Sequence, residues 1–255
     1  VTQYDAILPA GGRIDPEFAA KVGTDRKALI KFGDRTILSQ TLDCLAETGQ
    51  FERLVLIGPE EVTNSSSAKL ATHRVAEGAS GPENIMAGLI ALEKDGPSKN
   101  KVVLLTTDLP FLSKPVLVDF LDRAPKDLEI VIPLCTQTAY LKRFPDSTST
   151  YMTLKGDAYT AGGAFLMEPQ ALRRSMPMIN RLFANRKSKI GMARLLGPAL
   201  LYKYLTKTIS IDDVEKKALS LLGIKGTALR DAPPELAYDI DYFDDYEYAI
   251  AHLQA

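Results

Sequence analysis

The stretch AILPAGGRIDPEFAAKVGTDRKALIKFG, Ala6 to Gly33, carries the first decision about this chain. A short apolar run, Ala6 to Leu8, breaks at Pro9 into Ala10, Gly11 and Gly12, and a lone basic pair, Arg26 and Lys27, follows after mostly polar residues. A glycine pair directly behind a strand lets backbone N–H groups approach a phosphate closely. The same residues also suit a plain tight turn. Two familiar nucleotide patterns are absent: the next glycine after Gly12 is Gly23, so G-x-G-x-x-G fails, and no G-x-x-x-x-G-K-[ST] occurs.

Outward from that loop, short β-rich runs alternate with helix-length amphipathic segments, the pattern of a parallel sheet covered by helices. The periodicity predicts strands at Tyr4 to Leu8, Arg53 to Ile57, Lys101 to Thr106 and Glu129 to Pro133. Leu38, Leu42 and Leu45 predict a helix over Thr36 to Glu47, and Ile85, Leu89 and Leu92 predict another over Ile85 to Leu92. RFPDSTSTY breaks the pattern, and TYMTLKGDAYTAGGAFLM reads as a hairpin turning at Lys155, Gly156 and Asp157. A mostly helical stretch from Pro169 to about Gly223 precedes a final strand and helix within LAYDIDYFDDYEYAIAHL. At 255 residues the expectation is one domain, 1–255, with a mainly helical insertion at about 169–223.

The bulk numbers exclude several classes of partner. A net charge of -1 gives no global pull toward nucleic acid or membrane, so neither is expected as a partner. The chain has no apolar run of transmembrane length and its start lacks the basic-then-apolar pattern of a signal peptide. Cys44 and Cys135 lie in apolar segments without metal-like spacing, which reads as two buried thiols in a reducing, cytoplasmic compartment. With only His73 and His252, a histidine-rich metal site is excluded. Composition leaves the oligomeric state open.

Three further stretches could carry chemistry. In KVVLLTTDLPFL an apolar strand ends at Asp108, where ligands collect in open α/β sheets and a Mg²⁺ ligand would be useful. The plainer role, capping the helix near Lys114, would put Asp108 too far ahead of that helix. In YDIDYFDDYEYA, Asp244, Asp245 and Glu247 suit the first turns of a helix, whereas Asp239 and Asp241 precede it, share one face of an extended segment and invite a cation. From Pro169 to Ser210 nine lysines and arginines occur without an acid, including Arg173, Arg174, Arg181, Arg186, Lys187, Lys189 and Arg194. That block suits a solvated face, a phosphate-rich acceptor site or an anionic surface, but it lacks interleaved aromatics for base stacking.

Taken in chain order, LPAGG, RKAL, EGASGPENIMAGL, VVLLTTDLPFL, YTAGGAFLMEP and YDIDYFDDYEYA resemble the nucleotidyltransferases of the molybdenum cofactor cytidylyl- and guanylyltransferase (MobA-like) type. The resemblance spans roughly Tyr4 to Leu253, with Ser175 to Gly223 least covered. It implies an α/β fold, a Rossmann-like three-layer α/β/α sandwich with a mixed, mostly parallel sheet, of the nucleotide-diphospho-sugar transferase type. It implies a nucleotide site built from Ala10, Gly11, Gly12, Arg13, Lys27, Gly78, Gly81, Asn84 and Asp108, with Lys27 and Asp108 catalytic. Gly162, Gly163, Arg173 and Arg174 fall on the acceptor side, and Asp108 and Asp241 match the pair of Mg²⁺ ligands. Asn84 equally suits a helix cap.

Two departures stand out. The loop commonly reads A-G-G-x-S-x-R-M-G, whereas here RIDPEFAAKVGTDR follows Gly12, so either Arg13 or Arg26 takes the arginine's place. The closing pattern D-x-D-T-P-E-D has lost its Thr-Pro to Tyr242 and Phe243. The expected activity is transfer of an NMP from an NTP to a phosphorylated small-molecule acceptor, releasing pyrophosphate. Its competitors are a nucleotide-binding regulatory protein with a degenerate site and a nucleotide-sugar glycosyltransferase. The latter would be expected to bring a D-x-D motif that TTDLP lacks.

Overall fold

The computed structural model describes residues 3–253 except 186, 187, 189, 190, 192, 193 and 196. Its strands are β1 (Tyr4–Pro9), β2 (Lys31–Phe32), β3 (Arg35–Thr36), β4 (Phe51–Gly58), β5 (His73–Ala76) and β6 (Lys101–Leu105). They continue with β7 (Ile130–Thr136), β8 (Met152–Leu154), β9 (Asp157–Ala161), β10 (Ala164–Met167) and β11 (Gly226–Leu229). The main sheet runs β5-β4-β1-β6-β10-β7-β9-β8, with β11 added on β7, while β2 and β3 pair separately. The pairings make the sheet mixed but mostly parallel: β9 and β10 run against all its other strands.

The period of two along β1 divides the core. Ala6 and Leu8 face one layer, with Leu38, Leu42 and Leu45 of the Ile37–Thr48 helix and Leu117, Phe120 and Leu121 of the Lys114–Arg123 helix. Ile7 faces the other, with Leu89 and Leu92 of the Gly81–Leu92 helix and Ala171, Leu172 and Met176 of the Pro169–Asn185 helix. Helices therefore cover both faces of the sheet, as expected. Among the described residues no helix is long and apolar enough to cross a membrane.

β9 and β10 form one bent strand. Leu134 faces Ala161 while Val131 faces Leu166, so one side advances five residues and the other three. The surplus pair is Gly162 and Gly163, a bulge that bends the strand. A side chain at Gly162 would press on the Leu236 carbonyl oxygen at 2.9 Å, and one at Gly163 would run into the Thr106 hydroxyl. The bulge also corrects the expected end of β7. The strand continues through Pro133 to Thr136, because Pro133 lies opposite the bulge, where the ladder is already broken and its carbonyl accepts from Gly162 N–H at 2.9 Å.

The expected last strand is a second correction. Pro234–Leu236 forms a 3₁₀ turn, and the extended residues after it cross the carboxyl ends of the sheet instead of joining the ladder. The expected helical stretch contains helices at Pro169–Asn185, Pro198–Leu205 and Ile211–Leu222. The elements that were not expected include β2, β3, β5, β11 and helices at Pro16–Val22 and Gln137–Arg143.

Candidate active site

The carboxyl ends of β1, β4, β5 and β6 converge on one side of the sheet, where ligands collect in open α/β folds. Ala10 closes β1 against β4 by donating its N–H to Ile57 at 2.7 Å, so this buried residue supports the loop and does not line it. Among the described residues the N–H groups of Gly11 and Gly12 have no acceptor. The lengthened segment then returns to its own base: Ile14 N–H reaches Asp25 at 3.1 Å, Arg13 bridges Arg26, and Lys27 N–H donates to the Gly12 carbonyl at 3.0 Å. Its excursion holds the Pro16–Val22 helix, started by Asp15, which accepts from Glu17 and Phe18, and stopped by left-handed Gly23.

Lys27 is thus set beside Gly12 despite the insertion. Its ammonium lies 3.4 Å from Asp108 Oδ2 and hydrogen-bonds the Asp241 carboxylate. Asp108 is fixed by its neighbours, since Thr107 donates to the Pro9 carbonyl at 3.1 Å and Thr106 N–H to Gly163 at 2.9 Å. The C-terminal segment arrives through Ile240 N–H, which donates to the Asp108 carbonyl at 3.1 Å. Asp245, in the first turn of the Phe243–Leu253 helix, accepts from the N–H groups of Asp241 and Tyr242 at 3.0 and 2.8 Å. Burial opposes the Lys27 charge, but Asp108, Asp241 and Asp239 outweigh it and hold the ammonium above its ordinary pKa. Asp239 is pushed up to about 7, by lost hydration within the cleft and by the like charges of Asp108 and Asp241. Because its side chain keeps a face open to solvent, those like charges are the firmer cause.

Two recesses meet at Asp108. One, of about 540 Å³, is lined by Gly11, Gly12, Lys27, Gly78, Gly81, Asn84 and Asp108, seven residues read from the sequence as nucleotide-binding. The other, of about 260 Å³, contains Gly162 and Gly163 beside Asp108 and Asp239. The helix beside the first recess is capped by Ser80, whose hydroxyl accepts from Glu83 N–H. Asn84 is not the cap: its carbonyl oxygen takes Gly78 N–H at 2.6 Å, which leaves its –NH₂ as the group to offer a ligand.

Other expected residues are placed elsewhere. Arg13 is exposed and paired with Asp25 at 2.7 Å, outside the lining of the large recess. Arg26 is buried behind the loop, 2.7 Å from Glu61 and 3.7 Å from Glu77. Arg173 and Arg174 follow β10, whose Met167 lies opposite Val102 near the start of β6, at the end of the sheet away from Asp108. There they pair with Glu93 and Glu129, so the structure does not bring them to the acceptor recess. Arg186, Lys187 and Lys189 lie outside the described residues. The lining residues not singled out by the sequence reading include Glu77 and Phe183. Glu77 immediately precedes Gly78 in a stretch already of interest, whereas Phe183 sits on a helix read only for its charges.

Among the described residues no three carboxylates, histidines or cysteines are arranged to enclose a metal ion. Asp108 Oδ1 is nevertheless buried without a hydrogen-bond partner, and Asp241 lies across Lys27 from it. Two carboxylates fit a Mg²⁺ that draws its remaining ligands from water and substrate phosphates.

The model of the MobA-like NTP transferase domain matches residues 6–195, most of the chain and every element that builds the loop, Lys27 and Asp108. The chain belongs to the MobA-like NTP transferase family. This MobA-like domain is also similar to the solved structure of a hypothetical transferase from Thermus thermophilus. The two are 27% identical, with a TM-score of 0.82, over 96% of this chain and 99% of that one. A 4-diphosphocytidyl-2C-methyl-D-erythritol synthase from Anaerococcus prevotii shares the fold at 14% identity, with a TM-score of 0.58 over 100% of this chain and 97% of that one. Among curated proteins, the 2-C-methyl-D-erythritol 4-phosphate cytidylyltransferase of Rhodococcus opacus is 32% identical over 87 residues. That match covers 33% of this MobA-like chain and 36% of the relative's length.

Proposed function

We propose that this protein transfers an NMP from an NTP to a phosphorylated small-molecule acceptor and releases pyrophosphate. The observation that carries the reading is the convergence of Lys27, Asp108 and Asp241 where the glycine loop meets the junction of the two recesses. An acceptor phosphate oxygen is already anionic, so its attack on the α-phosphorus needs no strong base. The new P–O bond forms as the bond to the β-phosphate breaks, and pyrophosphate leaves with the electron pair. The barrier is then charge repulsion and positioning. Lys27 and the N–H groups of Gly11 and Gly12 would stabilise charge at the phosphates. Asp108 and Asp241 would hold Mg²⁺, which when bound supplies charge neutralisation to the triphosphate.

The acceptor would enter by the recess that contains Gly162 and Gly163. The Rhodococcus opacus relative is named for a phosphorylated polyol, which puts that class first among acceptors to try. The test is a matrix of four NTPs with Mg²⁺ against phosphorylated polyols, sugars and pterins, read as pyrophosphate. Acceptor-dependent pyrophosphate release is the expected result. Nucleotide binding without release under any combination would favour a regulatory role and overturn the transferase reading.

A further inference from the structure

We propose that Phe183 is the stacking wall for the nucleotide base, an inference that rests on the large recess being the NTP site. Phe183 reaches that recess from the Pro169–Asn185 helix, which the sheet does not require as a ligand-binding element. Along this helix Ala171, Ser175, Ile179 and Phe183 recur every four residues, so they share one side. The first two are fully buried and Ile179 packs against the same core. Phe183 continues the line past the end of the core and over the opening of the recess, where its ring edge comes to rest on Gly81. A β-carbon built there would lie 3.2 Å from Cε2 and 3.6 Å from Cζ.

Among the described residues lining the recess Phe183 is the one aromatic side chain, and the neighbouring run Gly78, Ala79, Ser80, Gly81 offers little beyond backbone. A flat apolar ring beside a floor of small residues suits a flat apolar ligand group. The phosphates cannot be that group, because they belong with Lys27 and the glycine loop. The base fits it. The Asn84 –NH₂, close by, provides a donor for a base edge, whereas the Glu77 carboxylate lies against Gly11 in the loop. Stacking tolerates every base, since each has a π-face, so Phe183 supplies affinity while choice among bases falls to the polar edge.

The competing account is that Phe183 merely completes the apolar stripe and seals the helix against Gly81. Calorimetric titration separates the two, using each of the four NTPs and inorganic tripolyphosphate with Mg²⁺. Phe183→Ala should weaken the NTPs by on the order of tenfold and leave tripolyphosphate unchanged. Phe183→Tyr should bind as wild type, and Phe183→Leu, of similar bulk but without a ring, should remain weak. Gly81→Ala, which displaces the ring from the other side, should weaken NTPs in the same selective way. The inference is overturned if NTP affinity survives Phe183→Ala, if Phe183→Leu restores it fully, or if NTPs and tripolyphosphate weaken together. Should the alanine variant fail to fold, the leucine, tyrosine and Gly81 variants still decide. If wild type binds tripolyphosphate but no NTP, base stacking alone fails; if it binds neither, the transferase reading falls with it.

Discussion

Lys27 stands between two carboxylates that come from widely separated parts of the sequence, and each partner has a different part in the expected chemistry. Asp108→Asn keeps the shape but removes a metal-binding charge, so turnover should fall by a factor on the order of 10³ or more while the melting curve stays near that of wild type. Near-normal turnover in the folded variant would remove Asp108 from the mechanism. Lys27→Ala should lower kcat by about 10², since one preorganised stabiliser of phosphate charge is lost. Asn84→Ala frees Gly78 N–H, which should cost about 1 kcal/mol in denaturant unfolding and raise NTP KM several-fold. An unchanged KM with the same stability loss would make Asn84 structural only. Asp108 could be singled out because it ends an apolar strand, and Lys27 because it stands in a lone basic pair behind the glycine loop. Arg173 and Arg174 misled because their charge is visible in sequence, whereas Glu93 and Glu129, which pair with them, come from distant elements.

At the scale of elements, the two departures from the family pattern prove to be one structure. Phe18, in the extra helix Pro16–Val22, meets Phe243 edge to face at 5.5 Å, and Lys21 lies 4.0 Å above the Phe243 ring. The segment that lengthens the loop thus packs on the residue that stands where the pattern has proline. Because one side leads to Lys27 and the other follows Asp241, the contact holds both halves of the site together. A double-mutant cycle on Phe18→Ala and Phe243→Ala should give a coupling of about 0.5–1.5 kcal/mol. Additive losses would show that the two elements are independent. The helix was written in the sequence as Asp15, Pro16 and Gly23, a start and stop signature, but its short apolar face gave no periodicity to support it. β5 was hidden for a similar reason: His73-Arg74-Val75-Ala76 has no apolar alternation, since none of it is fully buried.

The whole molecule was the most legible level. Ala6 and Leu8 against Ile7, repeated in β4 and β6, specify a sheet covered on both faces, and that pattern needs no knowledge of loops. What could not be read was the path of the chain across the sheet's end, because LAYDI is apolar enough for a strand and only tertiary partners assign it to a crossing segment. The same enclosure governs the thiols. Burial, with Glu47 nearby, pushes Cys44 up to about 12, and burial, with Glu235 nearby, pushes Cys135 up to about 11. Both should resist maleimide at pH 7 for as long as the fold persists and react together on unfolding. Rapid labelling of either in the native protein would contradict this packing.

The bent strand β9–β10 also sets an order of assembly. β10 lies between β6 and β7 yet follows both in the chain. During synthesis, β1, β4, β5 and β6 can pair as they emerge, but β6 must wait with an open edge until Ala164–Met167 has left the ribosome. Asp241, 214 residues after Lys27, arrives later still. The nascent chain therefore acquires its sheet from one side, seals it with a strand inserted at the centre, and completes the charged cleft only once Asp241 has emerged.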